Sequence, residues 1–138
     1  MSYEASAALQ AAIFVTLSGS LELAALTGDR IWDTPPHEDG TGHEAGIYVL
    51  IGEERVSDWS AQGLRGSAHE VEISVLAEDA GFAAAKEAAG LIDASITGAL
   101  PPLSSGRVAS VDFVGVRARR EKDGGRRIDL RFRFRIEH

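Results

Sequence analysis

Apolar residues in the first quarter of the chain recur at three- and four-residue spacing: Leu9, Ala12, Ile13, Val15 and Leu17. That period, in a stretch rich in alanine, predicts a helix. Gly19 is the expected stop, and Ser20 the expected cap of a shorter helix carrying Leu21, Leu23, Ala24 and Leu26. Thr27-Gly28 closes that element, and Arg30-Ile31-Trp32 reads as a short extended piece. Polarity then takes over from 33 to 44. Pro35-Pro36, Gly40 and Gly42 with His37 and His43 predict a loop, long enough to point to a functional or interface role.

Period two follows. Ile47, Val49 and Ile51 alternate with Tyr48, Leu50 and Gly52, a strand that Val56 to Trp59 either extends or leaves. After a flexible point from Gln62-Gly63 to Gly66, the set Val71, Ile73, Val75 and Ala77 opposes Glu70, Glu72, Ser74 and Leu76, a strand with one wet face. Residues 80–96 return to helical spacing through Phe82, Ala85, Ala88, Leu91, Ile92 and Ile96, with Glu78-Asp79 expected to cap the start and Gly98 with Pro101-Pro102 to end it. A β-hairpin over residues 111–136 turns at Asp123-Gly124-Gly125. In its first strand the apolar parity changes at Phe113–Val114, which predicts a bulge or burial on both faces. Its second strand carries the sharpest alternation in the chain: Ile128, Leu130, Phe132, Phe134 and Ile136 against Asp129, Arg131, Arg133, Arg135 and Glu137. The predicted fold is therefore α+β, one domain over residues 1–138. It has a mostly antiparallel sheet of about four to five strands, with a long helix and an N-terminal helix packed on one face.

Length and composition add bounds. A chain of 138 residues that is 44% hydrophobic and 25% charged has the size and composition of one globular domain. The absence of cysteine excludes a disulfide scaffold, a thiolate metal site and a cysteine nucleophile. The opening Met1-Ser2-Tyr3-Glu4 lacks the basic start of a signal peptide, and the apolar runs fall short of the ~18–20 residues that cross a bilayer. No membrane association is expected, and assembly in the cytoplasm is.

Charge changes the picture more. The net charge of −7 averages a body (1–106) with four bases and sixteen acids, net −12, and a last segment (107–138) with ten bases and five acids, net +5. Arg131, Arg133 and Arg135 would stand on one strand face about 6.6–7 Å apart. Such a comb, widened by Arg117, Arg119 and Arg120, fits either of two partners. One is a phosphate backbone, the basis of an alternative reading as a small soluble nucleic-acid-binding module. The other is a set of carboxylates, such as Glu70 and Glu72, on an adjacent strand or on another copy. The Arg face also carries Asp129 and Glu137 and lacks interleaved aromatics, which favours the carboxylates.

Candidate chemistry is sparse. Asp33, His37, Asp39 and His43 crowd one loop but match no metal-ligand spacing. No serine sits in a G-x-S-x-G elbow, and no glycine-rich run has the phosphate-loop pattern. No enzyme activity, catalytic residue, metal or cofactor is expected. Trp32 and Trp59 lie beside polar segments, where either core or interface would suit them.

Element order and scattered residues together resemble a known family. The alanine-rich helix is followed by Thr27-Gly28-Asp29-Arg30-Ile31-Trp32-Asp33, a Pro/His loop, and Tyr48-Val49-Leu50-Ile51-Gly52. Trp59 then precedes the strand at 69–76, the helix at 80–96 and the Arg-rich hairpin. This resembles the small phage tail-completion family of tail terminators, and is most similar to the versions in gene transfer agents. The resemblance implies a structural virion protein of the tail or neck: a hexameric ring of identical copies that caps the tail tube, stops its polymerisation and meets the head-side connector. DNA would pass through the lumen without sequence recognition. It brings no catalytic residues. The expected subunit or partner interface comprises Arg117, Arg119, Arg131, Arg133, Arg135, Glu70, Glu72, His37, Asp39, His43 and Trp59, because rings of unlike patches suit a molecule with separate acidic and basic regions.

Overall fold

Alternation along four of its strands builds one five-stranded sheet with its helices on a single face. The structure is a computed structural model and describes residues 3–33, 46–78, 81–98, 100, 102–122 and 124–138. In chain order the elements are α1 (Ala5–Ser18), α2 (Leu21–Thr27), β1 (Ile31–Trp32), β2 (Ile47–Asp58), β3 (Gly66–Ala77), α3 (Phe82–Thr97), β4 (Arg107–Arg120) and β5 (Arg126–Glu137). The sheet order is β1-β2-β3-β5-β4. Only the short β1 runs parallel to its neighbour, pairing Ile31 with Val49; the other pairs are antiparallel. This is the expected α+β architecture with its C-terminal hairpin.

Local chemistry sets the helix ends. Gly19 follows α1, and the Ser20 hydroxyl accepts a hydrogen bond from the Leu23 amide at 3.2 Å, capping α2. The two helices meet at 83°. Gly28 closes α2 at φ 65°, a left-handed value that glycine adopts without strain. The cap of α3 departs from expectation. The helix begins at Phe82, its N-cap is Gly81, and among the described residues no side-chain hydrogen bond caps it; Glu78 follows the end of β3, and Asp79 lies outside the described residues. No single helix among the described residues is long and apolar enough to cross a membrane.

The core lies between the sheet and the helices. Val49 of β2, Ile73 and Val75 of β3, and Leu130, Phe132 and Phe134 of β5 are at most 2% exposed. They meet Leu9, Ile13 and Leu17 of α1, Leu23 of α2, and Ala85, Ala88, Ile92 and Ile96 of α3. The alanines of α3 let its backbone approach the sheet closely. A small second cluster sits on the opposite sheet face, where Trp32 packs on Tyr48 with ring centroids 5.2 Å apart, beside Leu50 and Leu76.

Register shifts decide which side chains face which way. One lies in β2 between Ile51 and Glu54. Two lie in β4, between Val108 and Ser110 and between Phe113 and Gly115. The second of these is the bulge that the parity change predicts. β2 runs on to Asp58, so Val56 extends the strand. Trp59 then lies so close over Gly66 that a Cβ there would come within 2.7 Å of the indole ring.

Candidate assembly surface

The face turned away from the helices is built by β5. Its apolar residues take the core side, so Arg127, Asp129, Arg131, Arg133 and Arg135 must take the other. Antiparallel pairing with β3 sets Glu72 opposite Arg131 and Glu70 opposite Arg133. Arg131 reaches Glu70 at 3.5 Å and Glu72 at 3.7 Å, and Arg133 reaches Glu70 at 3.3 Å. Arg135 donates to Asp112 of β4. The arginine ladder is thus matched by carboxylates of its own chain, on the strands to either side. Pairs this exposed are worth at most about 1 kcal/mol each, so the ladder sets strand register and surface charge more than stability.

One end of the ladder is more closed. Ser74 donates to Asp129 at 2.6 Å, and Arg127 donates to it at 2.7 Å. Burial alone would raise the Asp129 carboxyl; the bonds from Ser74 and Arg127, with the charges of Arg127 and Arg119, outweigh it and hold the group below its ordinary value. Glu72 goes the other way. Burial raises it first, repulsion from Asp129 and Glu53 adds to that, and the charge of Arg127 offsets only part. Burial would lower the Arg127 guanidinium, yet its bond to Asp129 and the charges of Asp129, Glu121 and Glu72 raise it.

A second polar group lies on the helix side, buried. Ser67 Oγ is 2.8 Å from His69 Nε2 and 2.8 Å from His138 Nε2, and His69 Nδ1 is 3.2 Å from Glu54 Oε2. Ser6 of α1 donates to Glu54 at 2.7 Å, and Tyr3 donates to it at 2.9 Å. Burial would raise Glu54, but bonds from Ser6, His69 and Tyr3 and the nearby His69 hold it low. The order hydroxyl–imidazole–carboxylate is that of a nucleophile triad. Ser67 and His69 are 0% exposed, however, so no substrate reaches the hydroxyl. The group ties α1, β2, β3 and His138 together. Among the described residues, no cluster of His, Asp and Glu is arranged to hold a metal ion.

The sheet's two edges differ from its middle. β4 forms one edge and has a strand neighbour on one side only. Its Phe113, Val114 and Val116 are 47%, 39% and 56% exposed. Phe113 packs edge-on to Phe132, at 5.9 Å between centroids, but α3 does not cover it. Arg117 and Arg120 are exposed and have no ion-pair partner among the described residues. At the other edge, α1 and β1 enclose a groove of about 480 Å³ lined by Ala7, Gln10, Ala11, Phe14, Ile31, Trp32 and Asp33.

The sequence-predicted interface residues divide accordingly. Arg131, Arg133, Glu70 and Glu72 come together in one network; Arg135 pairs separately with Asp112 of β4, and Arg119 lies 3.8 Å from Asp129. Arg117 stands on the same face unpaired. Arg120, expected to widen the comb, faces Arg126, whose guanidinium lies 5.2 Å over the Phe82 ring; Arg120 therefore falls on the helix side. Trp59 is half-buried against Gly66, away from the ladder. His37, Asp39 and His43 lie outside the described residues. Two groups escaped sequence reading. Ser67 and His69 share the parity of Val71, a signal that they point inward, but the bulge in β2 hid their partner Glu54. The exposure of Val114 and Val116 has no signal in the sequence, because nothing local marks β4 as an edge.

Comparison with known proteins finds a matching family and similar solved structures. The family described as tail completion protein gp17 matches residues 11–137. A chain in a solved structure, "Virion of native gene transfer agent (GTA) particle", is similar at 43% identity and a TM-score of 0.88, over 99% of this chain and 100% of that one. A search of curated proteins finds no match.

Proposed function

This chain belongs to the tail completion protein gp17 family, and from that membership we propose that it is a tail terminator: copies close a ring, six being the expected number, that caps the tail tube, ends its polymerisation and joins the tail to the head-side connector. DNA passes through the ring in transit, and no cofactor or catalytic step is involved. The protein works in the tail or neck of a phage-like particle, after assembly in the host cytoplasm. The observation that carries this reading is the match over nearly the full length of both chains to a component of a gene transfer agent virion. The fold supports it. Phe113, Val114 and Val116 are exposed at the β4 edge and Phe14 of α1 is exposed beside β1, and these two sides are unlike, as the head-to-tail contacts of a cyclic ring require.

The partners proposed are further copies of this chain, the tail tube protein and the connector. The segment 33–44, with His37, Asp39 and His43, is proposed to contact a ring neighbour or the tube; deleting residues 38–43 should impair tail completion while the fold survives. The nucleic-acid reading loses support, because Arg131, Arg133 and Arg135 each have a carboxylate partner in the same chain. Producer cells lacking the chain test the proposal. Tubes of uncontrolled length, or tails detached from heads, are expected. Tails of normal length joined to heads would overturn it.

A further inference from the structure

We propose that the ring's subunit contact is made by the exposed edge of β4 on one copy seated in the α1–β1 groove of the next. This rests on the ring reading and adds which surfaces meet. A closed ring needs two different, non-overlapping patches on opposite sides of one molecule. In the order β1-β2-β3-β5-β4, β4 and β1 are the two ends, four strand spacings or roughly 19 Å apart. Each end leaves apolar surface uncovered. On the β4 side, Phe113 and Val116 pair with the core residues Phe132 and Leu130 and so lie in the helix layer, with Val114 at the bulge beside them. On the other side, Phe14 of α1 is 46% exposed and forms the groove wall with Ala7 and Ala11, opposite Trp32. The groove has the size of clefts that seat a small-molecule ligand, which is room for several side chains.

Charge selects a second copy as the occupant. Residues 3–33 hold four acids (Glu4, Glu22, Asp29, Asp33) and one base (Arg30), net −3. β4 holds four bases (Arg107, Arg117, Arg119, Arg120) and one acid (Asp112), net +3. Arg117 and Arg120 follow Val116 in β4 without an ion partner of their own among the described residues, and Asp33 is among the residues that line the groove. The opposed signs steer the two unlike edges together and keep like edges apart. The bulges and arginines of β4 also hinder simple strand-on-strand stacking, so the contact is one of side chains entering a groove.

The chain has no cysteine, so introduced thiols are the only ones present. The double variant Phe14→Cys/Val116→Cys, alone and bound to tail tubes, should give under mild oxidation a ladder of disulfide-linked oligomers ending in a closed species. Mixing the two single variants should give a dimer and no more. Val116→Glu, an exposed change, should abolish the ring while leaving the urea unfolding midpoint unchanged. Native mass measured in parallel separates the two levels. A ring that forms without the ladder, or that survives Val116→Glu, overturns this contact and leaves the ring standing. So do disulfides between identical positions within a ring. No oligomer, free or on tubes, overturns the ring and the contact together.

Discussion

β4 and β5 are the two arms of one hairpin, both rich in arginine and apolar residues, yet they behave differently. β5 lies between β3 and β4, so every one of its apolar residues from Ile128 to Ile136 is buried, and Arg127, Arg131, Arg133 and Arg135 each find a carboxylate. β4 lies at the edge. Its Phe113, Val114 and Val116 stay exposed, and Arg117 and Arg120 have no ion partner among the described residues. The same residue types are therefore structural in one arm and available for association in the other. Neighbours decide this, not composition: a central strand has two sets of cross-strand partners and an edge strand has one.

The contrast is broken most severely from inside β5. Phe132→Ala removes a ring that is 0% exposed and should cost about 3–5 kcal/mol in urea unfolding. Phe113→Ala, across the pair on β4, should cost only about 1 kcal/mol, the scale of one aromatic contact. Equal losses would show that β4 is core and not edge.

Next in size is the buried polar group that anchors the helix layer. Glu54→Ala leaves His69 and Ser6 without their acceptor and should destabilise by about 1–3 kcal/mol at neutral pH. Glu54 and Asp129 both have folded-state values held below the ordinary ones. Their contribution is complete above the unfolded carboxylate value of about 4 and is lost as pH falls through the depressed folded-state values. Unfolding free energy followed into acid should therefore drop, and Glu54→Gln should flatten that drop. Glu72 has the opposite sign. Its raised value means that the ionised form opposes folding, so any gain from Glu72→Gln should appear at neutral pH and vanish as acid protonates the native side chain. A gain that grows in acid would refute that assignment.

The smallest expected effects on stability sharpen the comparison most. Arg131→Glu and Arg133→Glu set like charges against Glu70 and Glu72 and should each cost up to about 1 kcal/mol in urea unfolding. Arg117→Glu with Arg120→Glu should change stability by no more than about 0.5 kcal/mol, yet weaken ring formation measured by native mass. If the β5 reversals abolish the ring at unchanged stability and the β4 reversals leave it intact, the roles of the two arms are exchanged.

Much of this was legible along the chain because it depends on local periodicity. Alternation in 71–77 and 128–136 placed the core residues and the wet face of β3 and β5. Gly19-Ser20 marked a helix junction, and the parity change at Phe113–Val114 marked a bulge. The start of α3 differs from the expected one because Glu78 has the chemistry of a cap while the N-cap position falls on Gly81. Nothing in the spacing of β2 singles out Glu54, because the shift after Ile51 that turns it onto the helix side is visible only against a paired strand.

By itself, then, the sequence determined most of the elements, the face each residue takes within β3 and β5, and the division into an acidic body and a basic hairpin, since these follow from residue spacing alone. The tertiary structure decided the rest, because each remaining property depends on which strand lies next to which. It put β5 inside and β4 outside. It gave the arginine ladder its partners in Glu70, Glu72 and Asp112 of the same chain, and joined Ser67, His69, His138 and Glu54 across as many as 84 positions of sequence into one hydrogen-bonded chain. It also left Phe113, Val114 and Val116 at a free edge, at the other end of the sheet from a largely apolar groove that no spacing along the chain could reveal.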